Sequence, residues 1–144
     1  MRPAQPGRHS PESDPRAALL QLKTFSASLL QQHGLEDLLW HIAGQVGEVF
    51  GFEDCVVYLL EGSGLVQYAA HGVKSPALRE IKNRLVVPLG SGIVGSVAAT
   101  GRPECIADTR NEPRYITDEF EGRSELAVPI SYGGRVIGVL DCES

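Results

Sequence analysis

Apolar and polar positions alternate with two different periods along this chain, and the changeover divides it. From Arg16 to Gln32, Leu19, Leu22, Phe25 or Ser26, and Leu29 recur at helical spacing, and Gly34 suits a helix end. A second helix is predicted at once. Leu35, Leu38, Leu39, Ile42, Val46, Val49 and Phe50 form one apolar stripe, closed by Gly51. The period then drops to that of strands. "CVVYLL" (55–60) and "LVQYAA" (65–70) flank "EGSG" and read as a hairpin. "SPALREIKN" (75–83) reads as a short helix with Ser75 as N-cap and Pro76 at its first position. "RLVVPL" is a short strand, "GIVGSVAATG" a short helix ending at Gly101, and "PECIAD" another short strand. After the polar loop "TRNEPRYITDEFEGR", two strands, "SELAVPISY" and "RVIGVLDCE", flank Gly133-Gly134, a strong two-residue hairpin signal. Pro129 cannot donate to a ladder, so it marks a bulge or a sheet edge. The order predicts an α+β domain with a mainly antiparallel sheet and helices packed on it.

Composition narrows the functional classes. At 144 residues the chain has the length of one domain. Its net charge is −5 and its 13 basic residues are scattered, so neither nucleic acid nor an anionic membrane is an expected partner. The apolar runs fall far short of the roughly 20 residues a membrane helix needs. The Pro- and Ser-rich start, residues 1–15, reads as a disordered lead-in and lacks the apolar core of a secretory signal. Cys55, Cys105 and Cys142 are an odd number without a close pair, which fits a reducing cytoplasm. Cys55 and Cys142 sit in apolar strands as small core residues. Glu104 beside Cys105 would raise that thiol's pKa and disfavours a nucleophile. No His-x-x-x-His or Cys-His spacing exists, so no metal site and no cofactor are expected. His71 offers only a lone axial position for haem, with no pocket evident.

Two stretches carry candidate chemistry. Gly90, Gly92 and Gly95 give G-x-G-x-x-G. No long helix, no βαβ unit and no Lys-Ser or Lys-Thr pair follows, so the stretch reads as a tight turn rather than a nucleotide cradle. Ligand contact there would run through backbone amides at a helix start, which attract anions. The loop from 108 to 123 is the longest irregular stretch of the core, and long loops tend to carry function. Its carboxylates could do acid-base work, Arg110 and Arg114 could clamp an anion, and Tyr115 could supply a flat wall.

Three segments taken together carry a family resemblance: "LEDLLWHIAGQVGEVFGFEDCVVYLLEGSG", "VVPLGSGIVGSVAATGRPECIADTRNEPRYI" and "SELAVPISYGGRVIGVLDCES". The chain resembles a GAF domain from about Leu35 to its end. The resemblance implies a six-stranded antiparallel sheet, helices on one face and a ligand-capable pocket on the other. It implies a sensory or regulatory input module that binds a small molecule, similar to those of bacterial sensor histidine kinases. The ligand's state would reach an effector domain through the helices, and a homodimer through residues 16–50 is a further expected partner. It places the pocket rim at Gly92, Ile93, Cys105, Asp108, Arg110, Tyr115 and Ser124, with the loops 90–93 and 108–115 closing over it. Family members usually continue into a long C-terminal helix. The end at Ser144 lacks it, which puts autonomous dimerisation in doubt. Two alternatives remain: a spacer that binds no ligand, and an enzyme similar to the free methionine-R-sulfoxide reductases. The latter use cysteines in the loop before "S-E-L", where this chain has none. The expectation from sequence is therefore a module without catalysis of its own.

Overall fold

The computed structural model describes residues 14–144, so most of the lead-in expected over 1–15 lies outside the described residues. The described residues fall into two units that divide between Gln31 and Gln32. In the first, helix α1 (Pro15–Leu29) is opened by the Asp14 side chain, which accepts from the Arg16 amide at 3.0 Å, with proline at the first position. None of its residues is buried.

The second unit holds helix α2 (Leu35–Phe50), strands β1 (Asp54–Glu61), β2 (Gly64–His71) and β3 (Val86–Pro88), and helix α3 (Gly92–Thr100). Strand β4 (Glu104–Ile106), a 3-10 turn (Thr109–Asn111), β5 (Glu125–Tyr132) and β6 (Arg135–Glu143) complete it. The six strands form one antiparallel sheet in the order β3-β2-β1-β6-β5-β4, which matches the expected α+β, GAF-like architecture.

The two sheet faces are dressed differently. Leu39 and Ala43 of α2 pack with Val57 and Ala69 on one face, joined by Trp40, Ile42 and Leu140 at its margin. The buried stripe of α2 is Leu39, Ala43, Val46 and Gly47, so Leu39 and Val46 of the predicted stripe face the sheet. Leu38, Ile42 and Val49 are half-buried at its flanks, and Leu35 and Phe50 at the helix ends are exposed. On the other face, Ile93, Val94, Val97 and Ala98 of α3 pack with Val56, Tyr58, Leu65, Val87, Ala127 and Val139. Period-2 alternation sends Cys55 and Val57 to the first face and Asp54, Val56 and Tyr58 to the second.

Two further expectations change in the structure. Gly34 does not close α1, which ends at Leu29; it is the N-cap of α2. Residues 75–83 form turns, not a helix, and Arg79 and Asn83 take positive φ values of 56° and 46°. Ile81 packs against the core from this segment while Leu78 is almost fully exposed, so the two are not presented as one helical face. The segment wraps instead around Lys74, whose carbonyl accepts from the Lys82 amide at 2.8 Å. Cys55 and Cys142, distant in sequence, are direct cross-strand partners, both buried. Pro129 lies where β5 extends past the last β4 pairing at Ala127, so its missing donor falls on a free edge. Among the described residues no helix is long and apolar enough to cross a membrane.

Candidate functional site

The inward positions of three neighbouring strands end in carboxylates. Asp54 on β1 is registered against Glu143 on β6, and Glu143 against Glu125 on β5. Asp141 follows two residues earlier on the same face of β6, between Val56 and Ala127. All four acids are buried and line one cavity. The ligand oxygens of Glu125, Asp141 and Glu143 lie within 4.8 Å of one another. Oδ1 of Asp54 and Oδ1 of Asp141 have no hydrogen-bond partner.

This crowding governs the acids' chemistry. Burial, and then the nearby Asp118 carboxylate, push Asp54 up to about 6. Burial and Glu125 push Glu143 up to about 8, although Tyr115 and the Gly122 amide favour its charged form. Burial and the Glu125 carboxyl hold Asp141 well above the ordinary range. Desolvation and like charge both disfavour the ionised form, so without a cation the cluster retains protons.

The rest of the cavity is apolar: Leu85, Val87, Ile93, Val94 and Ile116, with Tyr58 and Asp118 at its wall. Its free volume is about 30 Å³, close to the space of one water molecule. The segment 112–124 closes it. Tyr115 donates from its hydroxyl to Glu143 Oε2 at 3.0 Å, and the Gly122 amide donates to both oxygens, at 2.9 and 3.1 Å. Asp118 accepts from Lys74 Nζ at 2.7 Å and from Gln67 Nε2 at 2.9 Å. Glu119 accepts from Asn83 at 2.5 Å and pairs with Lys82 at 3.2 Å. Lys74, only 1 % exposed, also donates to the Asn83 carbonyl at 2.7 Å, so the segment is tied to the 74–83 turns.

The residues expected at the rim divide into three groups. Ile93 lines the cavity, and Tyr115 reaches it through Glu143. Gly92, at φ 63°, sits under the closing segment, where a Cβ would stand 2.6 Å from the Ile116 side chain. Cys105, Asp108, Arg110 and Ser124 do not line it. Cys105 is exposed on β4. Asp108 caps the 3-10 turn and grips Arg110 at 2.9 and 2.8 Å, which lowers its carboxyl to about 2. Ser124 pairs with Ser144 beside β5 and β6. Arg114 is held by Glu104 and Glu112, so neither arginine forms an anion clamp. The glycine turn also offers little to an anion. The Gly90 amide bonds the Gly95 carbonyl at 2.9 Å and the Ser91 amide bonds the Pro88 carbonyl at 3.0 Å. His71 packs against Gly47 of α2, with no room there even for a Cβ.

The acids that dominate the site, Asp54, Glu125, Asp141 and Glu143, escape a residue-by-residue reading. Their signal is a charged residue on the inward period of a strongly apolar strand, as in "EDCVVY" and "GVLDCE".

Comparison with known proteins agrees with this architecture. A family model described as GAF domain matches residues 34–144. The free methionine-R-sulfoxide reductase of Neisseria meningitidis, solved in complex with its substrate, superposes with a TM-score of 0.75 at 28 % identity, covering 96 % of this chain and 80 % of that one. The GAF domain of a phosphoenolpyruvate-protein phosphotransferase from Coxiella burnetii superposes with a TM-score of 0.80 at 21 % identity, covering 92 % and 80 %, and shows the shared fold. The free methionine-R-sulfoxide reductase of Saccharomyces cerevisiae is 32 % identical over 59 residues, 40 % of this chain and 33 % of that protein. The chain spans about a third of the length of the curated relatives it matches. The expectation of a module without catalysis is overturned here, because enzymes built on this fold stand among its relatives in both sequence and structure. The glycine turn, the six-stranded sheet and the match over residues 34–144 place this chain in the GAF domain family.

Proposed function

We propose that this chain is a small-molecule-binding GAF module whose pocket takes a ligand bearing a positively charged amino group. The observation that carries the reading is the row Asp54, Glu143 and Glu125 with Asp141 beside it, buried together without a cation of their own. Lys74, the buried cation nearby, is engaged by Asp118. An ammonium group among these acids would supply three donors and a compensating charge. The apolar side formed by Leu85, Val87, Ile93, Val94 and Ile116 suits a short aliphatic or thioether chain. A free amino acid of the methionine sulfoxide type combines both features, and the reductases among the relatives support that substrate class.

Such a ligand does not fit the closed cavity, so binding requires segment 112–124 to lift from Glu143 and Lys74. That movement gives the occupied and unoccupied states different structures, as a signalling role demands. In a sensor, α2, seated on β1 and β2 behind the pocket, would carry the difference toward an effector domain such as a histidine kinase. In an enzyme the same binding step precedes turnover.

Thermal shift and calorimetry with free methionine-R-sulfoxide, methionine and N-acetylmethionine sulfoxide test the reading. The free amines should raise the Tm, and the acetylated compound, which lacks the cation, should not. Equal stabilisation by the acetylated compound, or none by any primary amine in a broad metabolite panel, would sink it. Adding a thiol reductant and following loss of the sulfoxide separates catalysis from sensing.

A further inference from the structure

The closed state of the cavity asks for a different occupant from the open one. It has room for a single ion or water, and its polar wall is made of carboxylates. Glu125, Asp141 and Glu143 bring one oxygen each to within 4.8 Å of the others. Oxygen ligands hold Ca2+ at about 2.3–2.6 Å, so two on opposite sides of the ion stand about 5 Å apart. The span therefore suits an ion of that size with little movement. Mg2+ demands a near-ideal octahedron and usually keeps several waters, for which the cavity has no room.

A second observation is independent of the cluster's composition. Asp54 and Asp141 are each only 6 % exposed, and each leaves Oδ1 without a partner while lining the cavity. A buried carboxylate oxygen without a donor is costly, and two on residues that line one small cavity point to a missing positive partner. The donor set is oxygen only. Among the described residues no histidine or cysteine lines the cavity, which selects hard cations over zinc or copper. A sequence search built on His and Cys spacing does not detect such a site.

We propose that the closed cavity binds one hard divalent cation of Ca2+ size on Glu125, Asp141 and Glu143, with the Asp54 carboxylate adding negative charge from the neighbouring strand. The cation neutralises the row that β1, β5 and β6 bring together, and Tyr115 and Gly122 hold Glu143 in place through its Oε2. The cation and an amine ligand draw on the same acids, so they compete. The inference rests on the acid cluster and the closed volume, not on the amine reading.

Calorimetry with Ca2+ at pH 8, and Tb3+ luminescence excited through the tyrosines, test it on the full chain. Tyr58 lines the cavity and would sensitise the lanthanide. Saturable binding of one ion per chain is expected, weakened at least tenfold in Asp141→Asn and in Glu125→Gln and unchanged in the surface control Asp37→Asn. Both test variants relieve repulsion, so they should fold, which circular dichroism checks. No saturable binding up to millimolar Ca2+, or equal binding in both variants, overturns the site. Amine binding without Ca2+ binding overturns this inference alone. Ca2+ binding without any amine ligand overturns the proposed function alone. If both bind, Ca2+ must weaken the amine's apparent affinity; independent binding would overturn the shared site.

Discussion

Asp54 on β1 stands directly opposite Glu143 on β6, and Glu125 on β5 flanks Glu143 from the other side. Like charges across a ladder destabilise a sheet, and here the row is buried as well. A domain selected for stability alone would place apolar residues at these inward positions, as β1 does at Val56 and β6 at Val139. The row therefore lowers the stability of the unliganded fold, a cost that the proposed cation would offset.

This trade has a definite pH signature. Asp54 rises to about 6 and Glu143 to about 8 in the folded chain, against about 4 for such carboxyls when unfolded. Within that window the folded state binds more protons than the unfolded one, so stability falls as pH rises. The contribution is fully present below about pH 4 and lost as pH passes through 6 and then 8. Between pH 5 and pH 9 the loss should be on the order of 5 kcal/mol, or roughly 15 °C in Tm. Thermal unfolding followed across that range in metal-free buffer measures it. A Tm that is flat, or that climbs toward pH 9, would contradict the buried acid row.

Removing one charge should help the unliganded fold. Asp141→Asn keeps the shape of the side chain and can still bond Glu125, while it ends one of the buried repulsions. At pH 8 the variant is expected to be about 1–2 kcal/mol more stable than the parent in denaturant titrations. Its response to amine ligands should be weaker. A variant less stable than the parent at pH 8 would mean that the carboxylate already has a partner.

The fold is largely legible in sequence, and the site is not, for a common reason. Gly133-Gly134, the alternation in β1 and β6, and the short helix ending at Gly101 are local signals. The structure places them as expected, with positive φ at both turn glycines and at Gly101. The segment 75–83 misleads because Ser-Pro resembles a helix start, yet only Ile81 of the pair Leu78 and Ile81 reaches the core, too little to hold a helix down. The acid row depends on register. Glu125 and Glu143 meet through the β5–β6 hairpin, but Asp54 joins them only because the distant β1 pairs with β6 in one register, and that partner is not written in any one window. Arg110 and Arg114 mislead in the opposite way. Both have local acidic partners within two residues, Asp108 and Glu112, and those partners hold them.

Tyr115 should act as the latch of the closing segment. Its hydroxyl donates to Glu143 and accepts from the Gly122 amide. Tyr115→Phe removes both contacts, while Gly122 retains its bond to Glu143. The expected cost is about 1–2 kcal/mol of global stability, with a larger local effect. Hydrogen exchange should quicken across 115–122 and leave β1 and β6 protected. Uniform protection loss over the whole sheet would show that the tyrosine supports the core rather than the lid.

Lys74 ties that segment down from its other end. Its ammonium is only 1 % exposed and donates to Asp118 and to the Asn83 carbonyl, both at 2.7 Å. Lys74→Met preserves the length of the side chain but strands Asp118, which is 21 % exposed and also bonded by Gln67. Breaking one side of a largely buried pair costs more than removing both. The single variant should therefore lose about 2–3 kcal/mol. The double variant Lys74→Met/Asp118→Leu should regain at least half of that loss, because no charge is left uncompensated against the cavity wall. A double-mutant cycle by urea denaturation at pH 7 reads the coupling directly. Additive losses would show that Lys74 and Asp118 act separately, and that the closing segment is held by Glu119 and Tyr115 alone.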